Sequence, residues 1–479
     1  MKAAVIGGGP AGCAAAYSLR KAGWDVLLFE AQDHVGGRTS QVLRDGFSLG
    51  SGALFLMGGI YPRTNAILKE LGRDGDLIAW DAVTQVIDAD GQRYTAKFDQ
   101  VLSLLKMPVL SWRDKLRIAA GVAATLVKPG PKLCFDGAEL AKFDSGENLE
   151  TWSRRVLGQR GTDYITVPYM GFLYAVPMSW LSPALFHAVI KQFYRLGLSV
   201  PPEGIGQICG WLVEASAGMD LRLSSPAEKI NRSGSGYTVR AAGETHSVDS
   251  VIVAPEPGVA ADLLADLIPA ESTNKLRECP YSDYAHVQLC YKKNPWPDFG
   301  ASVVLPANME RDWGACVLLS KRQPSGVPPG GEAVGVYFYT PPLEHMSDDD
   351  IVASARDAVH EVFGPAPEPD AVELFHYQRG LSIAKPGHYA TMDSLHAEMP
   401  PGICLAGDYF AHAGVEAAIF SGELAAERLA AAAQRGAAAP DPNRQMNREK
   451  VAAASCRSPT GSPVRRGRHR RAATPASAR

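Results

Sequence analysis

The sequence predicts an α/β fold with a parallel sheet, and three observations predict it. The first thirty residues run as strand, glycine-rich turn, helix and strand. Two later segments, 251–254 and 403–406, are uncharged and typical of buried strands. A chain that alternates strands, tight turns and helices, as the first thirty residues do, forms a doubly wound sheet of the Rossmann type. The chain has 479 residues, too many for one ordinary core, so we expect a second domain of mixed sheet and helices.

A glycine-rich turn follows the first predicted strand, Lys2–Ile6, whose apolar residues are typical of a buried parallel strand. Gly7 permits a tight turn, Gly9 lets a pyrophosphate approach the backbone, and Gly12 lets the next helix pack on the strand. That helix is expected to begin at about Pro10, which has no N–H to lose in a first turn. Its N-terminus offers free N–H groups to phosphates.

A second predicted strand, Trp24–Phe29, ends at an acid. Glu30 stands at the carboxyl end of this strand, where a carboxylate can accept hydrogen bonds from ribose hydroxyls. The complete order of strand, GxGxxG turn, helix, strand and acid is the context in which this motif binds a dinucleotide. A glycine-rich turn without a ligand is the alternative interpretation.

The residues after this acid distinguish between NAD and FAD. The run Gly36-Gly37-Arg38 follows closely, and here the chain resembles the flavin amine oxidase and protoporphyrinogen oxidase superfamily. The resemblance implies FAD as the cofactor, with these three residues reaching its phosphates. An Arg can meet a diphosphate bidentately, and the two glycines let the loop approach it. The chain departs from the family at His34, where relatives often have Arg, and at Gly50, where they commonly have Asp.

A third segment near the C-terminus extends the resemblance. Residues 402–408 are typical of a buried strand that ends in Gly-Asp, and Asp408 can accept hydrogen bonds from ribityl hydroxyls. A helix is expected to begin near Val415, where its N-terminus could stabilise negative charge on a reduced flavin. Ala227 stands where relatives often have a Val in the segment that reads the adenine. The cofactor-binding residues that we predict for FAD are Gly7, Gly9, Pro10, Ala11, Gly12, Glu30, Ala31, Gly36, Gly37, Arg38, Ala227, Gly407, Asp408, Val415 and Glu416.

An aromatic segment provides the predicted substrate wall. Residues 167–175 resemble a Pro-x-x-x-Gly-x-Tyr turn of protoporphyrinogen oxidases, with the Gly one position earlier here. Tyr169, Phe172, Tyr174 and Trp180 could form a wall suited to a flat, apolar substrate. Ordinary aromatic packing in a helical core is the alternative. Tyr174 is one of two candidate catalytic residues.

The other candidate catalytic residue is His286. The run 288–296 resembles an amine oxidase strand that ends in Trp. Amine oxidases typically have an upstream Lys that holds a water against the flavin, and His286 occupies that position here. A neutral His could also hold a water, whereas an ordinary strand residue at the domain interface is the alternative. The missing Lys argues against amine oxidation.

Residues 101–127 are the most apolar candidate surface, with a helix predicted over 113–127. A core helix pair and contact with a membrane are both compatible with this composition. We favour the core helix pair, because the helix lacks the Lys/Arg-rich polar face that is typical of interfacial helices.

Charge and cysteine content exclude several other classes. The formal net charge is −3, but residues 443–479 carry ten Lys or Arg and one acid, which leaves a balance of −12 for the rest. We expect this basic tail to be disordered and solvated, without a nucleic-acid partner. The eight cysteines are scattered without a Cys-x-x-Cys pair, which argues against a metal site and a disulfide framework.

No signal peptide or membrane span is expected, so cytoplasmic localisation is predicted, with peripheral membrane attachment left open.

The sequence therefore predicts an FAD-dependent oxidoreductase. The resemblance implies removal of hydride from a small, apolar, cyclic substrate, as in protoporphyrinogen oxidases, and return of the electrons to oxygen or another acceptor. Isoprenoid desaturation, amine oxidation, redox-neutral isomerisation with reduced flavin and a non-catalytic FAD-binding scaffold remain alternatives. The predicted domains are a discontinuous FAD-binding domain at 1–75, 203–270 and 395–436, a substrate-binding domain at 76–202 and 271–394, and the tail at 437–479.

Overall fold

The computed structural model describes residues 1–97, 100–308 and 311–438. Its strands in chain order are β1 (Lys2–Ile6), β2 (Asp25–Phe29), β3 (Gln41–Arg44), β4 (Phe47–Gly50), β5 (Leu56–Met57), β6 (Ile78–Ala79), β7 (Val83–Ile87), β8 (Arg93–Lys97), β9 (Leu198–Val200), β10 (Asp220–Arg222), β11 (Ala227–Ser233), β12 (Gly236–Ala241), β13 (Glu244–Val248), β14 (Ser250–Val253), β15 (Tyr281–Tyr291), β16 (Val303–Pro306), β17 (Trp313–Leu318), β18 (Glu332–Phe338), β19 (Ala371–Ser382) and β20 (Ile403–Leu405).

The helices alternate with these strands. In chain order they are α1 (Pro10–Lys21), α2 (Pro62–Glu70), α3 (Val101–Leu105), α4 (Trp112–Val127), α5 (Gly137–Ala141), α6 (Leu149–Val156), α7 (Gly158–Gly161), α8 (Val167–Tyr174), α9 (Ala184–Gln192), α10 (Gln207–Ala215), α11 (Pro257–Leu264), α12 (Ala270–Arg277), α13 (Leu319–Arg322), α14 (Asp348–Phe363), α15 (His388–Glu398) and α16 (Val415–Ala438).

A five-stranded parallel sheet carries the N-terminal motif and confirms the α/β class. Its order is β10-β2-β1-β14-β20, and every neighbouring pair is parallel. Because β1, β2, β14 and β20 run in the same direction, their carboxyl ends meet at one edge, where ligands of doubly wound sheets bind. The predicted helix start at Pro10 and the predicted second strand are both present.

A seven-stranded sheet forms the second architectural element. Its order is β19-β15-β18-β17-β16-β7-β8, antiparallel except for the parallel pair β16 and β7. Helix α14 covers one face, and its Ile351, Ala355 and Val359 are buried against the sheet. Helix α8 packs against β16 and β17, and a side chain at Gly171 of α8 would press on the ring of Tyr339, which follows β18.

The sheets agree with the segments proposed for the two domains, although the boundaries remain a prediction. The parallel sheet draws only on segments assigned to FAD binding, and the seven-stranded sheet only on those assigned to the substrate. The chain divides into one unit at Met1–Ala430 and another at Ala431–Arg479. The predicted basic tail lies largely outside the described residues.

Helix α4 contradicts the expectation of a core helix. Only Ile118, Gly121 and Thr125 are buried along it, whereas Trp112 is 66 % exposed and Leu116 61 % exposed. The helix therefore turns an apolar face to solvent. No helix in the described ranges is both long and apolar enough to cross a membrane.

Candidate functional site

A cavity of about 770 Å³ begins where the parallel strands end. Its lining includes Gly7 after β1, Glu30 after β2, Pro255 after β14 and Asp408 after β20. From this dinucleotide end the cavity extends toward α8 and the seven-stranded sheet. We call that second part the aromatic end; its side chains are Phe172, Tyr174, Tyr284, Tyr337, Phe375 and Tyr377.

The glycine-rich turn leaves room for a phosphate. Gly7 has φ +98°, a conformation that favours glycine. A Cβ at Gly12 would lie 1.8 Å from the carbonyl oxygen of Gly7, so helix and turn are in direct backbone contact. A Cβ at Gly9 would meet no heavy atom within 4 Å. Gly9 therefore faces open space inside the cavity, as close approach of a pyrophosphate requires.

Glu30 is fixed beside this turn. It is 8 % exposed, its Oε2 accepts the N–H of Gly8 at 2.5 Å, and its Oε1 accepts the N–H of Gln32 at 2.8 Å. A carboxylate offers about four lone-pair sites, so capacity for ribose hydroxyls remains. Ala31 and Ala227 line the same part of the cavity.

Arg38 connects the N-terminal motif with the C-terminal one. Its Nη2 lies 3.0 Å from Oδ1 of Asp408, and its Nη1 donates to the carbonyl of Gly380 at 2.6 Å. The hydroxyl of Tyr281 lies 3.4 Å from the same Asp408 oxygen. Both charged groups line the cavity. An arginine that could bind a diphosphate and a carboxylate that could accept ribityl hydroxyls thus stand together in the cavity lining.

The other predicted cofactor residues divide into those that face the cavity and those that support it. Gly37, Pro10, Ala11, Gly407 and Val415 line the cavity. Gly12 and Gly36 are absent from the lining. Gly36 has φ +122° and its N–H donates to the carbonyl of Gly8 at 2.9 Å, so it shapes the loop.

Glu416 is placed differently from its prediction as a cofactor residue. It is 1 % exposed and absent from the cavity lining. Its carboxylate accepts the backbone N–H of Arg63 at 2.8 Å and of Thr64 at 2.9 Å, and the Thr64 hydroxyl at 2.6 Å. These donors belong to the first turn of α2, so Glu416 caps that helix. Burial raises its pKa, although the hydrogen bonds from Thr64 oppose that shift.

His286 is also placed differently from its prediction as a catalytic residue. It is fully buried, outside the cavity lining, and its Nε2 lies 2.9 Å from the carbonyl oxygen of Gly50. Its ring is stacked between Tyr337 and Phe375, with centroid distances of 4.9 and 4.8 Å. Burial lowers the pKa of His286 to about 3. A neutral ring behind the cavity wall has no direct access to a substrate.

Tyr174 does reach the cavity. It is 3 % exposed, and its ring contacts that of His412 at a centroid distance of 5.7 Å. Burial raises its pKa well above the ordinary value, so its hydroxyl remains protonated. Of the four predicted wall residues, Phe172 joins it in the lining, whereas Tyr169 lines a second cavity and Trp180 lines neither.

Sequence reasoning missed the part of the wall that comes from the seven-stranded sheet. Tyr284, Tyr337, Phe375 and Tyr377 face the cavity from three neighbouring strands. The alternation of Phe375 and Tyr377 was an available signal, because residues two apart on a strand share a face.

The geometry fits FAD. The open glycine turn, the carboxylate of Glu30, the Arg38–Asp408 pair and the start of α16 at Val415 all line one cavity together with aromatic side chains. Among the residues that the structure describes, no group of three His, Cys, Asp or Glu side chains could hold a metal ion.

The chain is similar to known oxidoreductases in sequence and in fold. The chain is 25% identical over 456 residues to coproporphyrinogen III oxidase of Mycobacterium tuberculosis, covering 87% of this chain and 94% of that protein. It is 26% identical over 276 residues to carotenoid 3,4-desaturase of Haloarcula japonica, covering 52% of this chain and about half, 54%, of that protein. Cyclohexylamine oxidase from Brevibacterium oxydans shares the fold, with a TM-score of 0.69, 18% identity, and coverage of 90% of this chain and 99% of that one.

The family model for flavin containing amine oxidoreductases matches residues 10–430. This match begins at the start of α1 and covers the whole seven-stranded sheet and every strand of the parallel sheet except β1. The chain therefore belongs to the flavin-containing amine oxidoreductase family and is an FAD-dependent oxidoreductase.

Proposed function

We propose that this enzyme removes hydride from an apolar, cyclic substrate that lies against the aromatic end of the cavity. The observation that carries the proposal is that every residue that α8 and the seven-stranded sheet contribute to the cavity lining is uncharged. The charged lining residues all come from segments that follow strands of the parallel sheet; they are Glu30, Arg38, Glu256 and Asp408. A flat apolar molecule would gain burial and ring stacking at the aromatic end.

The chain's own residues bind and orient the substrate, and they exclude water from the cavity. FAD, when bound, supplies the hydride acceptor. The N-terminus of α16, which lines the cavity at Val415, would stabilise the negative charge of a reduced flavin bound there. Burial raises the pKa values of Tyr174 and Tyr284 well above their ordinary range, so both hydroxyls are hydrogen-bond donors and poor bases at neutral pH.

Isoprenoid desaturation is the second candidate, and a separate observation favours it. A smaller cavity of about 100 Å³, lined by apolar side chains, shares Met57, Leu173 and Tyr174 with the first. Two cavities with a common wall would suit a long apolar chain better than a compact ring. The relationship to a carotenoid desaturase supports the same candidate.

Amine oxidation and redox-neutral isomerisation receive less support. The residue predicted to replace the Lys of amine oxidases, His286, lies outside the cavity lining. No observation in the described residues favours an isomerase or a non-catalytic scaffold, and turnover with an electron acceptor separates both from an oxidoreductase.

The test is an anaerobic titration of the purified holoenzyme followed by its visible spectrum. A porphyrinogen, an isoprenoid polyene precursor and a primary amine are added in separate experiments. We expect the porphyrinogen to bleach the flavin band, because a flat macrocycle matches the aromatic end. Bleaching only by the polyene precursor or only by the amine would replace the proposal with that activity. Bleaching by none of them, with turnover only of pre-reduced enzyme, would indicate an isomerase.

A further inference from the structure

Strand β19 carries a bulge where it passes the cofactor cavity. Between two regular stretches of its pairing with β15, residues 378–380 lie opposite the single residue Asp283. A Cβ at Gly380 would lie 2.2 Å from the Cβ of Tyr284, so only glycine fits at that position of the bulge. A bulge changes the direction of the side chains around it and is common beside functional sites.

The bulge brings an arginine next to the parallel sheet. Nε of Arg379 lies 2.5 Å from Oε1 of Glu256, and its Nη2 donates to the carbonyl of Cys279 at 3.3 Å. Glu256 follows β14 and stands immediately before α11. We call the ion pair of Arg379 and Glu256 the cross-sheet pair, because β19 belongs to the seven-stranded sheet and β14 to the parallel sheet. It joins two residues that are 123 positions apart in the sequence.

The same bulge also contacts Arg38, the predicted diphosphate ligand. Nη1 of Arg38 donates to the carbonyl of Gly380 at 2.6 Å. The guanidinium carbons of Arg379 and Arg38 lie 4.7 and 5.7 Å from the centroid of the Tyr281 ring, within the range of a cation–π contact. The cross-sheet pair is therefore connected, through one ring and one carbonyl, to the part of the cavity that we expect to hold the diphosphate.

The cross-sheet pair lies between the cofactor cavity and solvent. Glu256 lines the cavity, yet its side chain is 26 % exposed, and that of Arg379 is 40 % exposed. Val259, in the first turn of α11, lines the same cavity and is 47 % exposed. The cavity thus reaches the surface beside the pair, and movement of β19 away from α11 would widen it there.

We propose that the cross-sheet pair holds the cavity closed at this opening and so slows the release of FAD. Direct electrostatics makes the opposite prediction for Glu256, because removing an acid beside a diphosphate site would strengthen binding of the anion. The sign of the change on removing Glu256 therefore distinguishes the two roles. The proposal does not depend on the substrate proposed above, since release of FAD is measured without turnover.

The test measures how fast FAD leaves the purified holoenzyme after rapid dilution, followed by the recovery of flavin fluorescence. Glu256→Gln and Arg379→Gln should each speed release about three- to fivefold, the size expected for a partly exposed ion pair. The double variant should release FAD no faster than the faster single variant, because either change breaks the same pair. Arg379→Lys keeps the charge and should release FAD more slowly than Arg379→Gln.

Asp262→Asn is the matched control. Asp262 also lies on α11 and pairs with Arg277 at 2.8 Å, but it is absent from the cavity lining. We expect this variant to release FAD at the native rate. Flavin content before dilution and circular dichroism confirm that each variant folds. Added salt should speed release from the native protein more than from Glu256→Gln, since salt screens an exposed pair that the variant lacks.

Three results would overturn the proposal. Slower or unchanged release from Glu256→Gln, with faster release from Arg379→Gln, would assign Arg379 to the diphosphate itself. Effects of Glu256→Gln and Arg379→Gln that add in the double variant would show that the two side chains act separately. Equal acceleration by Asp262→Asn would attribute the effect to the stability of α11 instead of the cross-sheet pair.

Discussion

Arg38 and Asp408 form an ion pair, Nη2 to Oδ1 at 3.0 Å, although 370 positions separate them along the chain. One follows the N-terminal nucleotide motif and the other ends the last strand of the parallel sheet. The pair therefore links two distant motifs that both line one cavity. Asp408 is the more buried partner, with 8 % side-chain exposure against 36 % for Arg38.

Asp408→Ala should destabilise the apoprotein by about 1–3 kcal/mol, because Arg38 would be left half-buried without its carboxylate. Denaturant unfolding of the apoprotein measures this loss. Asp76→Ala is the matched control, since Asp76 pairs with Arg73 at 3.3 Å and both side chains are 42 % exposed. A surface pair of this kind contributes less than about 1 kcal/mol. Equal losses in the two variants would show that the Arg38 pair has no special structural role.

Two glycines of the same turn should respond in opposite ways. Gly12→Ala should destabilise the apoprotein by about 3 kcal/mol or more, since the added Cβ would lie 1.8 Å from the Gly7 oxygen. Gly9→Ala should leave the apoprotein unchanged, because its Cβ meets nothing within 4 Å and its φ of −73° suits alanine. It should instead weaken FAD binding at least about tenfold, or 1.4 kcal/mol.

Unfolding of the two apoproteins and FAD titration by fluorescence quenching check this contrast. Full FAD affinity in Gly9→Ala would mean that the pyrophosphate does not approach the turn at Gly9. An apoprotein of normal stability in Gly12→Ala would contradict the close helix–turn contact.

The sequence predicts the local motifs of this fold well, because glycine spacing and strand composition act over a few residues. The turn at Gly7, the helix start at Pro10 and the strand that leads to Glu30 were all expected and are present. Each of these features depends on the backbone conformation of a few neighbouring residues. The parallel order of β1, β2 and β14 follows from the same pattern.

The roles of residues whose partners lie far away in the sequence were harder to predict. Glu416 stands in a cofactor motif, yet its hydrogen-bond donors lie 352 and 353 residues away. Nothing in its own segment indicates that a helix start needs a cap there. His286 lies on β15, where residues on both faces are buried, so alternation cannot show which face meets the cavity.

The exposure of α4 was missed for a related physical reason. An apolar helical stripe is normally buried, and sequence alone does not show which of two apolar faces turns inward. In α4 the inward residues are Ile118, Gly121 and Thr125, which leaves the larger Trp112 and Leu116 outside.

Glu423 should make stability depend on pH. Burial raises its pKa from 4.5 to about 7, opposed by Arg63 and reinforced by Glu427. The folded state therefore holds a proton that the unfolded state releases, so the free energy of unfolding should fall as pH rises from about 4.5 to about 7. Glu423→Gln should remove about 1–3 kcal/mol of this fall.

Denaturant unfolding at several pH values between 5 and 7.5 measures the effect as a difference between the native protein and Glu423→Gln. Glu244→Gln is the control for the change from Glu to Gln itself, because the Glu244 side chain is 67 % exposed. If Glu423→Gln and the native protein gave parallel profiles, proton binding at Glu423 would be the same in the folded and unfolded states.

His286→Gln should retain the rate of flavin reduction within about threefold, because His286 lies outside the cavity lining. An amide nitrogen of Gln can replace the contact that Nε2 makes with the carbonyl oxygen of Gly50 at 2.9 Å. His286→Ala should instead lower the free energy of unfolding by about 2–4 kcal/mol, since it leaves a gap between Tyr337 and Phe375.

Anaerobic stopped-flow reduction, with the substrate that bleaches the flavin, measures the rate, and denaturant unfolding measures the stability. Tyr174→Phe serves as the comparison, because it changes one hydroxyl in the cavity lining and keeps the ring. A loss of rate of about a hundredfold or more in His286→Gln, at normal stability and flavin content, is the size expected for a general acid or base. That result would restore His286 as a catalytic residue and would require a conformation in which its ring reaches the cavity.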